Sequence, residues 1–182
     1  KLDGGLGDDI INGGLGDDIV YIRDILDGND TIDGGADSVI GNTLSFEKIT
    51  SQGVNIDLST AVDVEGFISV NMSDGIATEV DKIKGFKNLI GTSKNDNFIG
   101  DSGDNNIEGR NGDDTLNGGT QDDVLKGGSG DDILNGGAGI DTADYTEATE
   151  DLNIDLSKTR KVFISDSQGS DTFNLIEGAK GG

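Results

Sequence analysis

The sequence predicts an all-β fold built by repetition, and three observations carry that prediction. A nine-residue pattern recurs without insertion from residue 91 to residue 144. One position in each unit holds an aliphatic or aromatic residue, flanked mostly by polar or β-branched neighbours. Glycine gathers just before that residue, contributing 31 of the 182 positions. The first observation marks a stack of equivalent units, the second a short half-buried strand with period-two alternation, and the third a tight turn.

The six consecutive units read GTSKNDNFI, GDSGDNNIE, GRNGDDTLN, GGTQDDVLK, GGSGDDILN and GGAGIDTAD. Three more stand near the start: GGLGDDIIN from Gly4, GGLGDDIVY from Gly13 and, after Ile22-Arg23-Asp24, the weaker ILDGNDTID from Ile25. Glycine favours positions one, two and four. Position eight supplies the inward side chain in Ile11, Val20, Ile32, Phe98, Ile107, Leu116, Leu125 and Leu134. Position six supplies Asp9, Asp18, Asp30, Asp96, Asp114, Asp123, Asp132 and Asp141, with Asn105 as the neutral member.

One inward side chain in nine is little hydrocarbon with which to offset the conformational entropy of nine ordered residues. Stacked aspartates add repulsion, and the net charge of −23 opposes compaction further. A divalent cation between neighbouring turns reverses the sign of that repulsion and supplies the ligand that carboxylates and carbonyls otherwise lack, so folding and ion binding should be one event. The chain has no histidine and no cysteine. This excludes a Ser/His/Asp triad, a thiolate nucleophile, a structural zinc site and a disulfide framework, and leaves oxygen ligands for a hard cation, calcium above all. Nucleic acid and acidic lipid are disfavoured as partners by the same charge.

These units resemble the GGxGxDxUx repeats of RTX proteins, the calcium-binding toxins, adhesins and enzymes exported by bacterial type I secretion. The resemblance implies a right-handed parallel β-roll with strand-rich non-repeat interludes, two units to a coil, in which every second turn stacks along one edge and shares a calcium ion. It would set Asp114 and Asp132 around one ion with carbonyls such as those of Gly109, Asn111, Gly128 and Gly130. Asp123 and Asp141 would hold another with Gly118, Thr120, Gly137 and Gly139. Asp96 with Asp114, and Asn105 with Asp123, complete up to four ions in 91–144. Asp9 with Asp30 gives about one more in the first block, and Asp18 is left without a secure partner. Asn105 removes a charge, Lys94 and Gln121 replace fourth-position glycines, and Arg110 replaces a second-position one; each should strain or loosen its turn, and the Asn105 site should be the weakest.

A longer period overlies the short one. TLSFE at Thr43 recurs as TADYTE at Thr142, VNIDLS at Val54 as LNIDLS at Leu152, and VDKIKGFKNLIG from Val80 is echoed by SDTFNLIEGAKG from Ser170. The expected organisation is a first block over 1–42, a β-rich interlude over 43–90, the main roll over 91–144 and a second interlude over 145–182, together a window on a longer array. NIDLS should form a strand with Ile56 and Leu58, or Ile154 and Leu156, facing inward, and EGFISVNM another. Glu79 to Ile90 is expected as a wide solenoid coil in preference to a helix.

Bland explanations suffice for several other residues. Fifth-position acids such as Asp8, Asp17, Asp113, Asp122 and Asp131 read as solvated surface. Tyr21, Phe46, Phe67, Phe86, Tyr145, Phe163 and Phe173 read as packing, and Lys82, Lys84 and Lys87 as a solvated face or an internal counter-charge. An EF-hand loop beginning at Asp104 fails, because its twelfth position is Thr115. No aromatic cluster accompanies the carboxylates to form a glycosidase pocket, so no catalytic residue is expected. Third positions from Leu6 to Ala138 do not form the ranks of Thr and Asn that ice-binding arrays carry.

The expected function is a noncatalytic, calcium-folded segment of a large secreted RTX adhesin or toxin, extracellular or at the cell surface and monomeric. Its partners would be calcium and, in transit, the type I secretion machinery; a host-surface or glycan partner would act through other parts of the parent protein. The alternative is an accessory module of a secreted protease, lipase or polysaccharide epimerase whose active site lies elsewhere.

Overall fold

The structure is a computed structural model that describes residues 1–23, 28–36, 40–60, 62–70, 80–149, 151–156, 161–165 and 168–181, with the backbone alone described for Val70 and for 161–165. Asp24, Ile25 and Asp27 of the first block, Asn71 and Met72, Glu79 and the Phe163 side chain lie outside the described residues.

Short strands follow one another along the chain and, within the nonapeptide blocks, alternate between two faces. They are β1 (Ile10–Asn12), β2 (Ile19–Tyr21), β3 (Thr31–Asp33), β4 (Thr43–Ser45), β5 (Asn55–Asp57), β6 (Ile68–Val70), β7 (Asp81–Lys84), β8 (Asn88–Ile90) and β9 (Asn97–Ile99). There follow β10 (Asn106–Asn111), β11 (Thr115–Thr120), β12 (Val124–Ser129), β13 (Ile133–Ala138) and β14 (Thr142–Tyr145), then β15 (Lys161–Ser165), β16 (Gly169–Asn174) and β17 (Gly178–Gly181). No helix occurs among the described residues.

One face is a single sheet in the order β17-β14-β12-β10-β8-β4-β2, so first block, interlude and main roll share it. The opposite face divides into β1-β3-β7-β6 and β15-β16-β13-β11-β9-β5. Pairing is parallel except for the hairpin-like contacts β6–β7 and β15–β16. Inside the roll, Ile107 lies opposite Leu125 and Leu116 opposite Leu134, a register of one coil per two units. This is an all-β parallel β-roll, as the repeat predicts.

The core is a narrow column between the faces. Val20, Ile32, Phe98, Ile107, Leu116, Leu125 and Leu134, all at position eight, are fully buried, and Ile11 nearly so. The aromatic residues close the column where repeats give way to interludes: Phe46 meets Phe98 at 6.2 Å between ring centroids, and Tyr145 meets Phe173 edge-on at 6.3 Å. Lys82 and Lys84 serve as counter-charges, to Asp63 and Asp33, each at 3.0 Å.

Two local expectations need correction. Strands β10 to β13 each run on through the first three positions of the next unit, so the turn proper is confined to positions four to six. The first NIDLS forms β5 with Ile56 and Leu58 buried, but its copy does not: residues 151–156 contain no strand, and Ile154 and Leu156 are only half-buried. β5 pairs in parallel with β9, whereas no strand of the described residues pairs with 151–156. Asp81–Lys84 and Asn88–Ile90 form β7 and β8, a solenoid coil as expected.

Candidate metal centre

The paired aspartates clasp successive coils in opposite directions. At position six, the carboxylate of each coil accepts a hydrogen bond from the backbone N–H of the coil before it. Asp96 N donates to Asp114 Oδ1 at 2.7 Å, Asp114 N to Asp132 Oδ1 at 2.9 Å and Asp132 N to Asp171 Oδ1 at 3.0 Å. On the other edge Asn105 N donates to Asp123 Oδ1 at 2.8 Å, Asp123 N to Asp141 Oδ1 at 2.9 Å and Asp141 N to Glu177 Oε2 at 2.9 Å. Asp9 N likewise donates to Asp30 Oδ1, and Asp30 N to Asp81 Oδ1, both at 2.8 Å.

At position five the direction reverses. Asp131 N donates to Asp113 Oδ1 at 2.9 Å, Ile140 N to Asp122 Oδ1 at 2.9 Å and Asn29 N to Asp8 Oδ1 at 2.9 Å. These acids are exposed, as expected of solvated surface, and each also holds the next coil through a backbone N–H. Nothing in the local pattern signals this, because the N–H lies 18 or more residues away.

The second carboxylate oxygen of the sixth-position residues separates the turns into two kinds. In Asp9, Asp114, Asp123, Asp132 and Asp141, Oδ2 is buried and accepts no hydrogen bond. An unsatisfied buried polar atom costs about 1–3 kcal/mol, and more when charged. Asp114, Asp123, Asp132 and Asp141 are also almost wholly enclosed. Burial pushes their carboxyls up, that of Asp132 to about 8, Asp114 to about 7 and Asp123 to about 6, with neighbouring acids adding to the rise.

Asp96 differs. Its Oδ2 accepts from Thr92 N at 2.7 Å and its Oδ1 from Val54 N at 2.7 Å, while Thr92 Oγ1 reaches both oxygens at 3.1 and 3.2 Å. Asn105 is also satisfied, accepting from Asp101 N at 2.9 Å and donating to the Lys87 carbonyl at 3.0 Å. Asp18 meets Asn42, whose Oδ1 accepts Asp18 N at 2.8 Å, so a neutral side chain faces it.

Glycine makes room for the free oxygens. A Cβ at Gly109 would lie 2.2 Å from Asp114 Oδ2 and 2.8 Å from the Gly127 carbonyl oxygen, so the missing side chain lets a carboxylate and a carbonyl of the next coil converge. Gly128 combines φ of 107° with a Cβ position 1.9 Å from the Arg110 carbonyl oxygen, which only a bare backbone can occupy. Arg110 and Gln121 take up positive φ of 85° and 73° without that freedom, as their substitution for glycine predicts. Lys94 instead stays out of the left-handed region, its N–H bonded to Thr92 Oγ1 at 3.0 Å. Among the described residues no three acidic side chains gather in one cluster, so a cation here would draw on carbonyls as well as carboxylates.

Unsatisfied hard oxygens at an 18-residue spacing are what a calcium-binding repeat would present, and the family comparison agrees. A family model described as RTX calcium-binding nonapeptide repeat (4 copies) matches residues 1–21, 26–40, 90–125 and 108–143. The chain carries an RTX calcium-binding repeat region. RTX repeats bind calcium, and this number of them implies several ions. The RTX region is thus a calcium-binding structural module. No curated protein matches the chain.

Proposed function

We propose that this RTX region is a calcium-gated folding segment of a large secreted adhesin or toxin, monomeric, exported by type I secretion and extracellular or surface-bound in use. One observation carries the reading: the orphaned, buried Oδ2 atoms of Asp9, Asp114, Asp123, Asp132 and Asp141. At low calcium these carboxylates resist burial and the net charge of −23 keeps the chain expanded. Calcium at extracellular levels, acting on modules with dissociation constants of about 10⁻⁴ to 10⁻³ M, supplies the missing partner and closes the coils.

The ions belong between Asp114 and Asp132, with carbonyls of Gly109, Asn111, Gly128 and Gly130, and between Asp123 and Asp141, with Gly118, Thr120, Gly137 and Gly139. Asp9 and Asp30 take one in the first block. The gaps from Asp96 to Asp114 and from Asn105 to Asp123 bind more weakly, because Asp96 and Asn105 already have protein partners. Asp18, opposite Asn42, contributes least.

The test is a calcium titration from excess chelator, followed by circular dichroism and calorimetry. Strand signal should rise together with the heat of binding. Full strand content in chelator would sink the proposal.

A further inference from the structure

The edge that carries Asp123 and Asp141 does not end with the nonapeptides. Thr142 of β14 pairs with Gly178 of β17, which puts Glu177 one coil beyond Asp141, at the same level. Its Oε2 accepts Asp141 N at 2.9 Å, the bond that a sixth-position aspartate makes elsewhere. Asn135 pairs with Asn174, so Leu175 stands opposite Gly136. The turn between Leu175 and Glu177 is reduced to Ile176, where the nonapeptide has residues 137–140 between Gly136 and Asp141. No nine-residue pattern reveals it.

The oxygens nevertheless converge as they do inside the roll. A Cβ at Gly136 would lie 2.1 Å from the Leu175 carbonyl oxygen and 2.4 Å from Asp141 Oδ2. Asp141 is fully buried and that Oδ2 has no hydrogen-bond partner. The corresponding coil of the first interlude is built otherwise. There the echo of SDTFNLIEGAKG in VDKIKGFKNLIG places Lys87 where Glu177 stands, between the neutral Asn42 and Asn105. The Lys87 backbone N–H donates to the Asn42 carbonyl at 3.2 Å, and the Lys87 carbonyl accepts from Asn105 Nδ2 at 3.0 Å. One junction has a cationic side chain among amides; the other has a carboxylate beside a buried, unsatisfied carboxylate.

We infer that Asp141 Oδ2, the Leu175 carbonyl and the Glu177 carboxylate hold a further calcium-type divalent cation in the gap between the last nonapeptide and the shortened coil after it. Glu177 is exposed, so water completes the shell. The inference rests on reading the sixth-position carboxylates as ion ligands. It adds a site whose second acid is not part of any nonapeptide.

Calorimetric calcium titration of the whole chain tests it. Glu177→Gln keeps an acceptor for Asp141 N and removes the charge; the variant should bind one ion fewer than wild type, with the other sites unchanged. An unaltered number of ions at unaltered affinity would overturn the inference. Asp123→Ala in parallel reports on the nonapeptide sites: a chain that binds no calcium overturns both readings, one indifferent to Asp123 overturns the earlier, and indifference to Glu177 alone overturns only this one. Should Glu177→Gln fail to gain strand signal in calcium, Glu177→Asp retains the charge one methylene short. It should fold and weaken a single site, and an unchanged isotherm would refute the assignment.

Discussion

Asp96 and Asp114 occupy the same repeat position one coil apart, and they are built for opposite purposes. Asp114 leaves a buried oxygen bare, whereas Asp96 has both oxygens filled by Thr92 and Val54. The other edge repeats the contrast, with Asn105 closed on Asp101 and Lys87, and Asp123 open. The roll therefore starts on coils that the protein satisfies by itself and continues on coils that need a cation. At its far end Asp171 closes again, giving one oxygen to Asp132 N and the other to the Tyr145 hydroxyl. An aspartate in register is thus a conditional ligand: a hydroxyl or amide that reaches its second oxygen removes the demand for metal.

The largest effect expected is that of protons in the absence of calcium. The folded pKa values of Asp132, Asp114 and Asp123, about 8, 7 and 6, stand above the ordinary 3.8. Folding therefore favours their protonated forms; the stabilisation is complete below about pH 3.8 and is lost as pH rises through 6 to 8. In chelator, strand signal should grow on acidification from about pH 8.5 to about 4. Calcium should remove most of that dependence, because the ion takes the place of the proton. A metal-free chain whose circular dichroism ignores pH over this window would show that the open carboxylates do not govern closure.

Next in size is the difference between the members of an aspartate pair. Asp123 faces both Asn105 and Asp141, and Asp123→Ala should raise the calcium midpoint about tenfold or more by removing a charged ligand. Asp122→Ala loses its bond to Ile140 N at an exposed site, worth about 1 kcal/mol, and should leave the number of ions unchanged. Equal shifts for the two variants would mean that the register of ligand and clasp is wrong. A smaller effect is expected at a closed turn: Thr92→Val, which deletes the hydroxyl on Asp96, should cost about 1 kcal/mol of stability measured by denaturant in calcium.

Much of this was legible in the residues because strict periodicity makes one correct turn predict the rest. The inward column from Val20 to Leu134, the pairing of Asp9 with Asp30 and the stacking of Asp114 on Asp132 all follow from the nine-residue register. Most of the features that escaped were non-periodic. Asp171 and Glu177 continue the two edges across an interlude of more than 25 residues, where the only signal is a faint echo of Val80 to Gly91. Thr92, whose hydroxyl reaches both oxygens of Asp96, stands at a position where most units have glycine and no other unit repeats its contact. The fifth-position acids look like solvated charge because a carboxylate clasping a distant backbone N–H leaves no mark in local composition.

The smallest effect should come from a turn that keeps its ligand geometry while bearing strain. Gln121 replaces a fourth-position glycine and sits at φ of 73°, a conformation that costs an L side chain about 1–2 kcal/mol. Its Nε2 recovers part of that by donating to the Ser102 carbonyl at 2.6 Å on the exposed surface. Gln121→Gly relieves the strain, forfeits the hydrogen bond and loosens the unfolded chain, so the terms nearly cancel; the net gain should be at most about 1 kcal/mol. Thermal unfolding in calcium should therefore move slightly upward, with the number of bound ions unchanged. A marked loss of stability would mean that the side-chain bond to Ser102, and not the backbone, fixes this turn beside Asp123.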